Sequence, residues 1–157
     1  LSSVMLDTSF LITLADPQRL HHETAEWYFR EFLQRQITIY LSTIVISEFE
    51  VRQSVNDLPL RNMVILPFNI DHAISCGALV SRLPRDSGDD RVRIKDDCKL
   101  IAQTECESIT HLLTEDGNSL VKYIERVAAQ GHQVARPILL SGGRDATWFN
   151  NGQRVLV

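Results

Sequence analysis

The stretch from Ile94 to Asn118, IKDDCKLIAQTECESITHLLTEDGN, constrains the chain most. Acidic residues enter a helix, a short apolar run follows it, and that run opens directly into a second acidic turn. Asp96 or Asp97 is expected at the N-cap or in the first turn, where a carboxylate accepts orphan backbone N–H bonds and meets the positive end of the helix dipole. Leu100, Ile101, Ala102 and Cys106 give this helix an apolar side. His111, Leu112 and Leu113 then run extended, and Thr114, Glu115, Asp116, Gly117 and Asn118 form a polar exit. In a βα architecture the carboxyl ends of parallel strands and the amino ends of helices face one crevice, where open α/β sheets place their ligands. Two carboxylates of this stretch are therefore expected in one cleft.

The preceding chain follows the same alternation. Val4, Met5 and Leu6 are too few for a helix and suit a buried strand ending at Asp7. Asp7 is either a cap or turn residue or a cleft residue, and position alone leaves both open. Phe10, Leu11, Ile12 and Leu14 suit a buried helix closing near Asp16 and Pro17. His21 to Arg35 carries Ala25, Tyr28, Phe29 and Phe32 on one stripe, as a covering helix does. His21 and His22 point about 100° apart on such a helix, which favours a solvated first turn over a metal site. Ile37 to Leu41 is a strand, and Ser42 or Thr43 caps a helix through Val51. Glu48 shares a face with Ile44 at i,i+4, whereas Glu50 faces solvent.

Asn56 to Pro59 breaks the chain, Met63 to Phe68 reads as a short strand, and Asp71 is expected to cap a helix over 73–83. His72 and Cys76 have an i,i+4 metal spacing but no second pair, so packing is the expected role. Pro84 to Asp90 is a loop. Arg91, Arg93 and Lys95 follow at alternate positions; extended, they would share one face beside Asp96, as a phosphate-gripping rim or as an exposed charged loop. Leu120 to Gln130 is helical and ends at Gly131. Val134 to Leu140 is a strand with Pro137 in it, which suggests an edge. Gly142 and Gly143 turn the chain, and Asp145 to Val157 reads as a loop and a last strand, Arg154 to Val157. The expected fold is α/β, a three-layer α/β/α sandwich with a mainly parallel central sheet. All 157 residues form one domain, with its core over about 4–140 and a tail over 141–157.

A chain of 157 residues buries about 70% of its unfolded surface. Hydrophobic residues at 44% and charged residues at 23% are those of a globular domain. A net charge of −4 excludes a global basic field, so nucleic acid would need a local basic rim or a bound cation. Cys76, Cys98 and Cys106 contain no C-x-x-C pair and are expected as reduced, buried thiols. With no apolar run of membrane-spanning length and no leader pattern, a cytoplasmic location is expected and a membrane is not.

Asp7, Glu48, Asp96 or Asp97, and Asp116 are thus acids whose elements converge on one pocket. Clustered like charges raise one another's pKa, and a cation relieves that repulsion. Oxygen ligands without His or Cys select Mg²⁺ or Mn²⁺ over zinc. Such an ion orients a water, lowers its pKa and stabilises charge developing on a phosphodiester, so hydrolysis of nucleic acid needs no protein nucleophile.

Leu6-Asp7-Thr8-Ser9-Phe10-Leu11, Ser47-Glu48, Asp97-Cys98-Lys99-Leu100-Ile101-Ala102 and Leu113-Thr114-Glu115-Asp116 resemble, in order and approximate spacing, the acidic motifs of PIN-domain ribonucleases. The resemblance runs from Val4 to about Leu140 and is nearest to small VapC-like toxins of toxin–antitoxin pairs. It implies a PIN-like fold and Asp7, Glu48, Asp97 and Asp116 as catalytic, metal-binding acids. It also implies Ser9 orienting Asp7 or the metal water, Thr114 bracing the last strand, and Asn118 where many members carry another acid. Aligning Asp97 with the helix acid keeps Leu100 and Ala102 in the family's apolar positions, which leaves Asp96 as the cap. RNA as substrate, a homodimer and a cognate antitoxin are implied as well, with Arg91, Arg93, Lys95 and Lys99 as candidate RNA-backbone contacts.

Rival readings fare less well. A haloacid-dehalogenase-like phosphatase needs a second Asp where Ser9 stands, and a receiver-like phosphoacceptor lacks a Lys after a late strand. A non-catalytic PIN-like RNA-binding or scaffold protein, and a PIN nuclease of RNA processing, remain alternatives.

Overall fold

The computed structural model describes residues 1–115 and 117–150. Asp116 and the expected last strand over Arg154–Val157 lie outside them. Five strands, β1 (Ser3–Leu6), β2 (Thr38–Ser42), β3 (Val64–Leu66), β4 (His111–Thr114) and β5 (Arg136–Leu139), form one sheet in the order β3-β2-β1-β4-β5. Every pairing is parallel, with Met5 opposite both Tyr40 and Leu112. The central strands β1 and β4 bury consecutive apolar residues rather than alternating ones, because helices cover both faces. Val4, Met5, Leu6, Leu112 and Leu113 are fully buried. Pro137 lies in β5, an edge strand, where its missing N–H costs no ladder bond on the open side.

The helices are α1 (Thr8–Ala15), α2 (His22–Gln34), α3 (Thr43–Glu50), α4 (Ile70–Arg82), α5 (Arg91–Cys106) and α6 (Asn118–Ala129). From β1 the chain steps outward to β2 and β3, then returns across β1 to β4 and β5. Right-handed crossovers therefore place α1 to α3 on one face and α4 to α6 on the other. The packing agrees: α1 lies against α2 and α3, and α5 against α4 and α6. The reversal occurs between β1 and β4, making their carboxyl ends the topological switch point. Among the described residues no helix is long and apolar enough to cross a membrane.

Helix α5 is buried on several sides. Ile94, Cys98, Leu100, Ile101, Ala102, Gln103 and Thr104 are all covered, as expected of a helix wedged between a sheet and two neighbours. Its buried Gln103 accepts a 2.5 Å hydrogen bond from Ser42 at the end of β2, which ties the helix to the sheet's carboxyl edge.

Several expectations are corrected here. Helix α5 begins at Arg91 and is capped by Asp90, whose carboxylate accepts from the Val92 N–H at 2.9 Å, so neither Asp96 nor Asp97 is the cap. Asp90 satisfies an orphan donor nearly two turns earlier than the acidic pair suggested. Arg91, Arg93 and Lys95 are consequently helical and do not share one extended face. Helix α4 is capped by Asn69, in a reciprocal capping box with His72, rather than by Asp71. His72 is fully buried and bonded to Glu107 at 2.8 Å, a packing role and not a metal site. Cys76 and Cys98 are buried, but Cys106 is exposed, because it lies on the outer side of the last turn of α5. The start of the tail forms a 3₁₀ turn, Ala146–Phe149, with Phe149 against Trp27, Tyr28 and Phe32 of α2.

Candidate active site

At the carboxyl ends of β1 and β4 lies a cleft of about 470 Å³, lined by Asp7, Glu48, Asp97, Ser9, Thr114 and Asn118 among others. Asp7 follows β1 directly and stands at the N-cap of α1, yet its side chain makes no capping bond. Its Oδ2 instead accepts from Ser9 at 2.9 Å and from Thr114 at 2.8 Å. The backbone extends the same junction, since Asp7 N–H donates to Leu113 C=O at 2.9 Å and Glu115 N–H to Ser9 Oγ at 3.0 Å. Asp7 thus holds the N-cap position of α1 without a capping bond, and its carboxylate is bonded to Ser9 and Thr114 in the cleft.

Glu48 lies in the last turns of α3 and is reached by the Thr8 hydroxyl, which donates to Oε2. Its pKa is raised, first by burial and then by the charges of Asp7 and Asp96. Asp97 is one turn further into α5 than Arg93, on the same side, and accepts from Ser119 of α6 at 2.6 Å. Burial, with the charges of Asp7 and Glu48 adding to it, pushes the Asp97 carboxyl up to about 6. Asp96 points elsewhere and pairs with Lys99 at 2.8 Å. Of these neighbours, Asp97 lines the cleft and Asp96 does not.

Of the expected basic contacts, Arg93 lines the cleft; Arg91 and Lys95 do not, and Lys99 is committed to Asp96. Residues missed in the sequence also appear there. Arg19, from the α1–α2 connection, donates to Glu115 at 2.6 Å and to Thr13 at 3.1 Å across the cleft's edge. Arg52, Thr8 and Ser119 line it as well. Ser119 carried a signal, in the first turn of a helix that follows an acidic strand end; Arg19 and Arg52 carried none, because they reach the cleft only through the tertiary fold.

Among the described residues no His or Cys lines the cleft. Its donors are carboxylates and hydroxyls, a set that suits a hard cation. Asp7, Glu48 and Asp97 lie close enough for their charges to act on one another. They do not, among the described residues, close into a group of three or more metal-ligating side chains.

No protein-family model matches the chain, and no curated protein matches it. Solved structures do. One is VapBC2 from Rickettsia felis bound to a DNA fragment from its promoter, with 17% identity and a TM-score of 0.55 over 87% of this chain and 98% of that one. A sarcin–ricin-loop-cleaving VapC toxin from Mycobacterium tuberculosis is similar at 17% identity and a TM-score of 0.56, over 82% of this chain and 95% of the other. DNA-bound VapBC from Salmonella typhimurium matches at 15% identity and a TM-score of 0.54, over 89% and 99% of the two chains. The α/β fold expected from the sequence is accordingly the fold of VapC toxins.

Proposed function

We propose that this chain is a metal-dependent endoribonuclease and the toxin of a toxin–antitoxin pair. The observation that carries the reading is the meeting of Asp7, Glu48 and Asp97 in one polar cleft at the switch point of a parallel sheet. Asp7, Glu48 and Asp97, with Asp116 added by its motif, would hold Mg²⁺ or Mn²⁺. That ion supplies Lewis acidity for hydrolysis of an RNA phosphodiester. The chain's own residues prepare the site. Ser9 and Thr114 fix Asp7, Thr8 fixes Glu48, and Ser119 fixes Asp97. A carboxyl pushed up to about 6 is one whose charge the bare cleft disfavours, and a cation reverses that preference.

Support for RNA as substrate, and for a cognate antitoxin, comes from the neighbours of the same fold, one described as cleaving the sarcin–ricin loop and two as VapBC complexes. A homodimer and a cytoplasmic location complete the proposal. The test is incubation of purified protein with a mixed cellular RNA pool in Mg²⁺ or Mn²⁺, beside EDTA, with the new ends mapped. Metal-dependent internal cuts are expected. RNA that is bound but left intact would favour a non-catalytic RNA-binding protein.

A further inference from the structure

Arg52 and Arg93 line the carboxylate cleft from two neighbouring elements, just beyond α3 and in the first turn of α5. Arg93 sits at a place where the positive end of the helix dipole disfavours a cation. No acid shares that first turn, so helix stability does not explain the residue. Its charge instead acts on Glu48 and Asp97, lowering the pKa of both. Arg52 is exposed, and neither arginine forms an ion pair among the described residues. Arg19, by contrast, is held by Glu115, and Lys122 and Arg126 are held by Asp86 and Asp89.

We propose that Arg52 and Arg93 grip backbone phosphates of the RNA and lay it across the carboxylates. The inference rests on the nuclease reading and deepens it. No aromatic side chain lines the cleft among the described residues, so there is no platform for stacked bases and the grip falls on the phosphates. The arginines also explain how a chain of net charge −4 holds a polyanion: the positive charge is local and, among the described residues, forms no ion pair.

The test uses fluorescence anisotropy of a labelled single-stranded RNA in Mg²⁺, titrated over a range of salt. The full chain carries Asp97→Asn to suppress cutting. Arg52→Ala, Arg93→Ala and the double variant are compared with Arg30→Ala, an exposed position of α2 outside the cleft. Each cleft variant is expected to flatten the plot of log K against log salt by about 0.7, and the double by about 1.4. Arg30→Ala should leave the slope unchanged. An unchanged slope in the folded double variant, with RNA still bound, overturns the arginine grip alone. A parent protein that binds no RNA overturns the grip together with the nuclease reading beneath it.

Discussion

Thr114 Oγ1 donates a 2.8 Å hydrogen bond to Asp7 Oδ2 and thereby joins the carboxyl ends of β4 and β1. Ser9 Oγ reaches the same oxygen at 2.9 Å and lies 2.9 Å from Thr114 Oγ1. Each hydroxyl has a single proton. When both donate to Asp7, no proton remains for the contact between them, and Asp7 is held by donors from two elements.

Replacing Thr114 with Val keeps the shape and removes one donor to a charged group. The expected loss is about 1–3 kcal/mol in urea unfolding, with Thr114→Ser recovering most of it. An unchanged urea midpoint in Thr114→Val would show that this bond does not hold the junction.

Gly117 begins the turn into α6 at φ +51°, and an added Cβ would come within 2.7 Å of Thr114 Cγ2 and 2.9 Å of Val121 Cγ2. Both the left-handed backbone and the crowding oppose a side chain. Gly117→Ala should destabilise the fold by about 1–3 kcal/mol. Because the strain falls on Thr114, the variant should also lose RNA cleavage more than stability alone explains. A thermal melt beside a cleavage assay at a temperature where the variant is folded checks both.

Asp97 has a folded pKa of about 6, raised chiefly by burial above the ordinary 3.8. The folded state therefore binds more protons than the unfolded state between those values, and stability falls as pH rises through that window. In EDTA at pH 7.5, Asp97→Asn should melt above the wild type. Adding Mn²⁺ should raise the wild-type Tm more than that of the variant. Equal Mn²⁺ shifts in the two proteins would remove Asp97 from the metal site.

His111 opens β4, packs edge-on against Trp148 and is buried. Burial first, then the N-terminal amine and Arg136, push its pKa down to about 4. Here the unfolded state binds more protons, so this contribution is fully present above about pH 6.5 and is lost as pH falls towards 4. The wild type should lose stability across that range, with a change in tryptophan emission. His111→Gln should flatten the dependence, and an identical pH profile in the variant would place its origin elsewhere.

The parallel sheet was legible because short apolar runs ended in polar or acidic turns, and the pattern β1 then Asp7, β4 then Thr114 holds in three dimensions. Glu48 was legible from its i,i+4 relation to Ile44. The start of α5 was not. Two acidic groups, Asp89-Asp90 and Asp96-Asp97, compete for the capping role, and local sequence does not decide between them. The first one wins: Asp90 caps the helix, while Asp89 is tied to Tyr123 and Lys122 of α6. That earlier start winds the basic residues around a helix and leaves Arg93 alone of them in the cleft. Arg19, Arg52 and the bond from Ser119 to Asp97 depend on pairings far apart in the chain, which no local pattern encodes.

Whether the cleft carboxylates support metal-dependent cutting of RNA is decided by the single-turnover rate on one mapped RNA in Mn²⁺, for wild type beside Asp7→Asn, Asp97→Asn and Asp116→Asn, each shown to be folded by circular dichroism. Each variant is expected to fall by about 100-fold or more, equivalent to about 2.7 kcal/mol in the barrier, and EDTA to abolish the wild-type rate. Cutting that survives in EDTA, or in folded Asp7→Asn and Asp97→Asn proteins, would contradict that role.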